Sequence, residues 1–321
     1  MAMNKLWQYF KPEAKPRKGL LGLEWPMAGY WVFTLLIILF AYTKLQNPDS
    51  MIWGRVRIAA MTAGLWAVYR MYPCRMTLLA RVAGQMALLA WWYPDTYEIN
   101  RLLPNLDHLF ATWEQSLFGC QPALLFHSTF SHPVVSELMD MGYASYFPMM
   151  VLVVLFYFLF RYDDFRRASF VLIGSFFIYY SLYVLIPVTG PQYYYPAVGF
   201  NEIARGIFPN LHDYFYNHSY RMVSPGYTDG FFYQMVESAH EAGERPTAAF
   251  PSSHVGVSTI VMLLAWHSRN RRLFICLIPF YVLLCLSTVY IYAHYAIDVL
   301  GGWLTGLTLY FSMMKAGKRW A

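Results

Sequence analysis

Long apolar runs separated by short basic clusters constrain this chain more than any other feature of its sequence. The runs lie at 28–45, 56–72, 76–93, 134–160, 168–187, 252–267, 273–292 and 294–314. A helix needs about 20 mostly apolar residues to cross the hydrocarbon core of a bilayer. Lipid offers the backbone no hydrogen-bond partner, so such runs are expected to cross as helices. The expected fold class is all-α: a polytopic membrane helix bundle of about eight transmembrane helices with an extramembrane cap. Composition agrees, with 58% of the 321 residues hydrophobic and 13% charged, against about 25% charged in soluble domains. Aromatic residues reach 19%, and Trp and Tyr favour the membrane–water interface. Arg81, near the start of the third run, is expected to snorkel toward that interface.

Two stretches break the apolar pattern. Residues 94–133 are amphipathic, hold Asp107, His108 and Glu114, and carry prolines at 94, 104 and 122. They are expected to lie on or dip into the membrane surface. Residues 189–249 form a polar, tyrosine-rich stretch too long for a plain connection, and a structured cap is expected there. The chain thus divides into a tail with accessory helices (1–93), an interfacial segment (94–133) and a core with its cap (134–321). Basic clusters at 11–18, 161–167, 269–272 and 315–319 can share the cytoplasmic side only if the number of crossings is even. Eight crossings satisfy this and place the cap and the turn before His294 on the opposite side. The net charge of +6 is distributed between apolar runs, so it reports orientation and no nucleic-acid partner is expected. Cysteines 74, 120, 276 and 285 form no CxxC pair and are expected to be packing thiols.

Ionisable residues at membrane helices are costly, and each is a functional hypothesis. His294 and Asp298 are four apart in an apparent helix and would share a face. A carboxylate against one imidazole nitrogen makes the other a better nucleophile or base. Phe250-Pro-Ser-Ser-His254 opens another apolar run like a helix start, where free N–H groups form an anion site. Ser252 and Ser253 could add hydroxyl donors, and His254 would lie beside the bound anion. Each motif alone has a plainer use, as a helix cap or a polar link between helices. Their occurrence at one membrane face points to phosphoryl transfer. Gly190-Pro191-Gln192-Tyr193-Tyr194-Tyr195 follows a helix end, and Tyr193 is a candidate lining residue. Gly302-x-x-x-Gly306 reads as helix packing. His127, His132, His212, His218 and His240 lack ligand spacing and are expected at the surface.

Pro251-Ser252-Ser253-His254 resembles the PSGH motif of the type 2 phosphatidic acid phosphatase superfamily. Ser287, His294 and Asp298 match the spacing of that superfamily's S-R-x5-H-x3-D motif, with Thr288 where arginine is expected. The first motif, K-x6-R-P, is missing; Arg245-Pro246 echoes its end, but Ser238 stands at the lysine position. These departures resemble the branch of aureobasidin-resistance-type inositol phosphorylceramide synthases and sphingomyelin synthases. Asp107…Leu117-Phe118-Gly119-x-x-Pro122 and His294-Tyr295-x-x-Asp298-x-x-Gly301-Gly302 are similar to segments of that branch.

The resemblance implies a six-helix catalytic core and a phosphohistidine mechanism without metal or cofactor. His294 would attack phosphorus, Asp298 would orient it, and His254 would serve as acid and then base. Positive charge would come from the cap, from Arg205, Arg221 or Arg245, with Arg245 adjoining the site. The function implied is a multi-pass lipid phosphotransferase with its active site on the non-cytoplasmic face, periplasmic or lumenal. It would move a phosphoinositol-type headgroup from a glycerophospholipid to a ceramide-like lipid. The alternative is a lipid phosphate phosphatase that uses water as acceptor. A metalloenzyme with a two-histidine, one-carboxylate triad and a transporter are further readings, each lacking its supporting motif.

Overall fold

The computed structural model describes residues 7–320; residues 1–6 of the expected tail, and Ala321, lie outside it. Among the described residues there are fourteen α-helices and no β-strand. The first three are α1 (Glu24–Phe40), α2 (Pro48–Met71) and α3 (Arg75–Asn100). Two short helices follow, α4 (Asp107–Phe118) and α5 (Pro122–Thr129). Then come α6 (Pro133–Ala144), α7 (Tyr146–Phe160) and α8 (Tyr162–Leu185). The cap stretch contains α9 (Pro191–Val198), α10 (Phe200–Ala204) and α11 (Phe231–Gly243). Helices α12 (Ser253–His267), α13 (Arg271–Tyr290) and α14 (Ala296–Trp320) complete the chain.

Helical segments thus stand where the apolar runs are, but fewer meet a strict length and apolarity test for crossing a membrane. Helices α8 and α13 are long and apolar enough, and α6 with α7 makes a third candidate, bent by 44° at Ser145. Helices α1 and α12 are apolar but shorter. The run 134–160, expected as one span, is therefore two helices, compatible with a broken span or a re-entrant loop. Helix α3 continues through Pro94 to Asn100, past the expected end at residue 93; membrane-type packing tolerates an internal proline when neighbours re-satisfy the freed carbonyl.

Helix α8 is the axis of the bundle and packs against α1, α3, α7, α12 and α14. Its core-facing residues, Phe165 to Val184, are nearly all buried. The outer surface is apolar: Leu304, Phe311 and Ile275 are 69%, 64% and 60% exposed. A surface of that kind matches lipid and would be a liability in water. Helix α12 packs tightly against α14, backbone to backbone at their glycines. A Cβ on Gly306 would lie 2.5 Å from the Gly256 carbonyl oxygen, and one on Gly302 would lie 2.6 Å from that of Ser252. Small residues here let the two backbones touch, as the Gly302/Gly306 spacing predicts. All four cysteines are free, and Cys276 is exposed on α13 rather than buried.

Arg81 does not snorkel. It is fully buried and forms a two-pronged ion pair with Glu24, Nε to Oε1 at 2.6 Å and Nη2 to Oε2 at 2.5 Å. The Leu21 N–H donates to the same carboxylate at 2.8 Å. The physical reason is that a partner on α1 lies within reach, so pairing replaces the interface. Removing one member leaves a buried charge alone, at a cost of about 3–5 kcal/mol, whereas replacing both by apolar residues can be neutral. Arg81→Met should therefore lower stability by about that amount, and Glu24→Leu with Arg81→Met should recover most of it. Thermal unfolding in detergent, followed by tryptophan fluorescence, checks both.

Candidate active site

His254 is the second residue of α12 and half-buried. Its ring stacks on Tyr143, with centroids 4.6 Å apart, and is tilted against Tyr146 at 4.4 Å. Both tyrosines flank the α6–α7 bend, so the break in that span holds the imidazole from two sides. His294 is not on a helix: α14 begins at Ala296, and His294 lies in the turn after α13. That turn is fixed by the His294 N–H to Thr288 O bond at 2.9 Å and by Gln192 N–H to Tyr292 O at 2.9 Å. Tyr292 and Ala248 both adopt positive φ, at 67° and 68°. Non-glycine residues in that region often mark functional sites. Gly190, at φ 91°, packs beneath the turn, where a Cβ would meet the Ala293 carbonyl oxygen at 2.7 Å.

The two imidazole centroids are 5.7 Å apart. His294 Nδ1 is 2.8 Å from the Ala249 carbonyl oxygen. A carbonyl only accepts, so Nδ1 carries the proton and Nε2 keeps its lone pair. Asp298 Oδ2 lies 3.5 Å from Nδ1, near enough to stabilise charge on the ring but longer than a hydrogen bond. That oxygen accepts instead from the Tyr295 N–H at 2.9 Å, while the Asp298 carbonyl accepts from the Ser252 N–H at 3.1 Å. The i, i+4 pair is therefore real in space although only one member is helical, and Ala249 holds the tautomer.

The anion-binding residues expected around this pair are more scattered. Ser252 is fully buried and caps α12, accepting from the Val255 N–H at 3.3 Å. Its hydroxyl oxygen is turned to the helix backbone. The Ser253 N–H donates to the Tyr183 hydroxyl at 2.9 Å. Arg205 is 67% exposed and paired with Glu202. Arg245 is exposed and donates to the Glu244 carbonyl, on its own strand of chain. Arg221 is the most enclosed of the three, gripped by Glu237 at 2.6 Å. Burial alone would raise the Glu237 carboxyl, but contacts with His240 and Arg221 outweigh it and hold it at about 2. Glu244 is pushed upward by burial and lies within electrostatic reach of His294, His240 and Arg221. Tyr193 is buried in the cap, and the charges of Glu244, Arg221 and Arg245 act on it. Thr288, at the expected arginine position, is buried and donates to Cys285 O.

Among the other histidines, His240 departs from expectation: it is 5% exposed, against Tyr143 and Glu237, because α11 lies along α6. His212, His218 and His132 are exposed, and His127 is half-buried. Among the described residues no group of three or more His, Cys, Asp or Glu could hold a metal ion. Nothing in the sequence marks Tyr143, Tyr146, Glu244 or the Ala249 carbonyl as part of the site, since all are placed by tertiary contact.

These features define a helical membrane protein with two histidines and a carboxylate gathered at one end of its bundle. A family model described as the PAP2 superfamily matches residues 108–311. The chain belongs to that superfamily, a phosphatase-type enzyme family whose chemistry is phosphoryl release or transfer. No curated protein and no solved structure matches the chain.

Asp107 anchors this end of the bundle. Its carboxylate is fully buried and accepts from Thr189 N–H (2.7 Å), Thr189 Oγ1 (2.9 Å), Gly190 N–H (2.8 Å), Asn105 Nδ2 (2.6 Å) and Tyr295 Oη (3.0 Å). It thus ties α4 to the turn after α8 and to the residue beside His294. An amide in its place presents donors to donors. Asp107→Asn should cost at least about 3 kcal/mol, since each buried group left unpaired costs about 1–3. It should also depress turnover with His254, His294 and Asp298 untouched. Chemical denaturation and specific activity of the folded fraction measure the two effects separately.

Proposed function

We propose that this protein is a membrane lipid phosphotransferase working through a phosphohistidine. It would move a phosphoinositol-type headgroup from a glycerophospholipid to a ceramide-like lipid. The observation that carries the reading is the pairing of two imidazoles 5.7 Å apart, with Asp298 beside the protonated nitrogen of one. His294 Nε2 attacks phosphorus; the N–P bond forms as the P–O bond to the donor breaks. His254 gives its proton to the departing alkoxide. The acceptor hydroxyl then loses its proton to His254 and attacks the phosphohistidine, which restores His294. Asp298 stabilises the imidazolium-like charge on His294. Phosphoryl transfer asks mainly for positioning and charge stabilisation. Here the positive end of the α12 dipole and Arg221, whose charge is shared with Glu237, are the sources of positive potential, with Arg245 able to swing in from the surface.

Family membership supports a rival equally well, a lipid phosphate phosphatase in which water takes the acceptor's place. Incubating purified protein with phosphatidylinositol and a ceramide, against phosphatidic acid alone, and identifying products by mass spectrometry separates them. A headgroup-bearing ceramide supports the transferase; free phosphate from phosphatidic acid with no transfer product supports the phosphatase.

For the chemistry, His294→Ala should abolish both turnover and any acid-labile phosphoprotein. Asp298→Asn should keep the fold and lower turnover by at least about 100-fold. His254→Ala should slow both half-reactions, and a donor with a better leaving group should rescue only the first. Covalent phosphate found on His254 would overturn the assignment.

We further propose that the termini face the cytoplasm and the histidines the opposite side. Asn217→Cys should then label from outside intact cells, and Arg271→Cys should not, each in a background without the native cysteines. Outside labelling of Arg271→Cys would reverse the orientation.

A further inference from the structure

At the end of the bundle away from the histidines, the described N-terminal segment folds over the start of α8 and the last turns of α14. It encloses a cleft of about 760 Å³. Five cations line it: Lys11, Lys15, Arg75, Arg166 and Arg167. Three carboxylates also line it, Glu13, Asp163 and Asp164. Glu13 is occupied, accepting from Arg166 at 2.9 Å and from the Tyr69 and Tyr162 hydroxyls, each at 2.6 Å. Asp164 faces Arg161 at 3.5 Å. Arg167 donates to the Met314 carbonyl at 2.7 Å, and Arg75 lies over the Tyr162 ring at 4.1 Å. Lys11 and Lys15 are exposed and have no ion-pair or hydrogen-bond partner among the described residues, and Asp163 is the one carboxylate in the same position. The lining is therefore net positive, and its two free ammonium groups belong to a segment that Glu13 fastens to α2 and α8.

Orientation by positive charge needs only basic residues on a loop. It does not need a carboxylate to hold that loop across two helices over a space of this size. The volume lies within the about 300–1,000 Å³ of small-molecule sites. From Asp298 to Gly317, α14 rises by about 28 Å, close to the hydrocarbon thickness of a bilayer. The cleft therefore lies at headgroup height in the leaflet opposite the histidines. A basic side chain within reach of an anionic headgroup strengthens its binding about fivefold, an effect that falls away within a Debye length and so depends on lining the cleft.

We infer that this cleft binds the phosphate-bearing headgroup of an anionic lipid in the leaflet opposite the histidine site. The inference is independent of the reaction the histidines catalyse. The test uses the full chain in detergent micelles doped with phosphatidylglycerol or phosphatidylcholine, with bound lipid counted by native mass spectrometry. Wild type should retain phosphatidylglycerol in preference to phosphatidylcholine. Lys11→Gln with Lys15→Gln should reduce that preference about 25-fold, because both lysines are lost and neither holds the segment in place. Arg271→Gln with Arg272→Gln removes equal charge outside the cleft and should change it less than about twofold. Equal retention of the two lipids by wild type overturns the inference. So does equal loss in both double variants, which would mean general surface charge. Inorganic phosphate at millimolar concentration should not displace the lipid; full displacement would assign the cleft to a free anion instead.

Discussion

How near α12 and α14 can come decides whether this molecule has a site at all. His254 belongs to the first helix, and Asp298 to the second, with His294 in the turn that leads into it. An ordinary helix pair keeps its axes 8–10 Å apart, at a spacing set by side chains. Here Gly256, Gly302 and Gly306 remove the side chains from the crossing, and backbone meets backbone. The Ser252 N–H to Asp298 carbonyl bond, at 3.1 Å, joins the two helix starts directly. Any larger residue at the crossing would part the two imidazoles by widening the angle between their helices.

The second constraint is electrostatic. Carboxylates are plentiful at this end of the bundle: Asp107, Glu114, Asp140 and Asp298 are fully buried. Cations are few and mostly committed, as Arg221 is to Glu237. Backbone N–H groups carry much of the compensation, as at Asp107 and Asp298. A phosphate entering here would meet fixed dipoles more than mobile charges. Fixed dipoles need no reorganisation as charge moves during a reaction.

Much of this was legible before any coordinates. The apolar runs predict helices because lipid leaves the backbone no other arrangement, and helices stand at each run. The three candidate site residues, which the fold brings together, were picked out by motif spacing, and the glycine crossing follows from Gly302-x-x-x-Gly306. What was hidden depends on contacts between residues far apart in the chain. The Ala249 carbonyl that holds the His294 tautomer is 45 residues away. Glu24 and Arg81, 57 residues apart, pair in the interior, where a single run can only suggest snorkelling. The cap arginines divide by neighbours: Glu202, three residues before Arg205, is visible in the sequence as a competing partner, while Glu237 reaches Arg221 only through the fold of α11. The α6–α7 bend at Ser145 does carry a local signal, Pro148, which has no N–H to give the Ala144 carbonyl and so weakens a continuous helix there.

The clasp of Tyr143 and Tyr146 around His254 bears on handedness at phosphorus. A ring held between two others can turn very little about its own axis, so its nitrogens deliver and collect protons within one plane. Under the proposed reaction the group that leaves and the group that arrives must then use the same doorway, on the side of phosphorus away from His294. Two successive in-line displacements through one doorway cancel each other's inversion. Retention of configuration at a chiral phosphate would then follow from the bond to His294, and the aromatic clasp would keep a single acid and base at the doorway that both alcohols use.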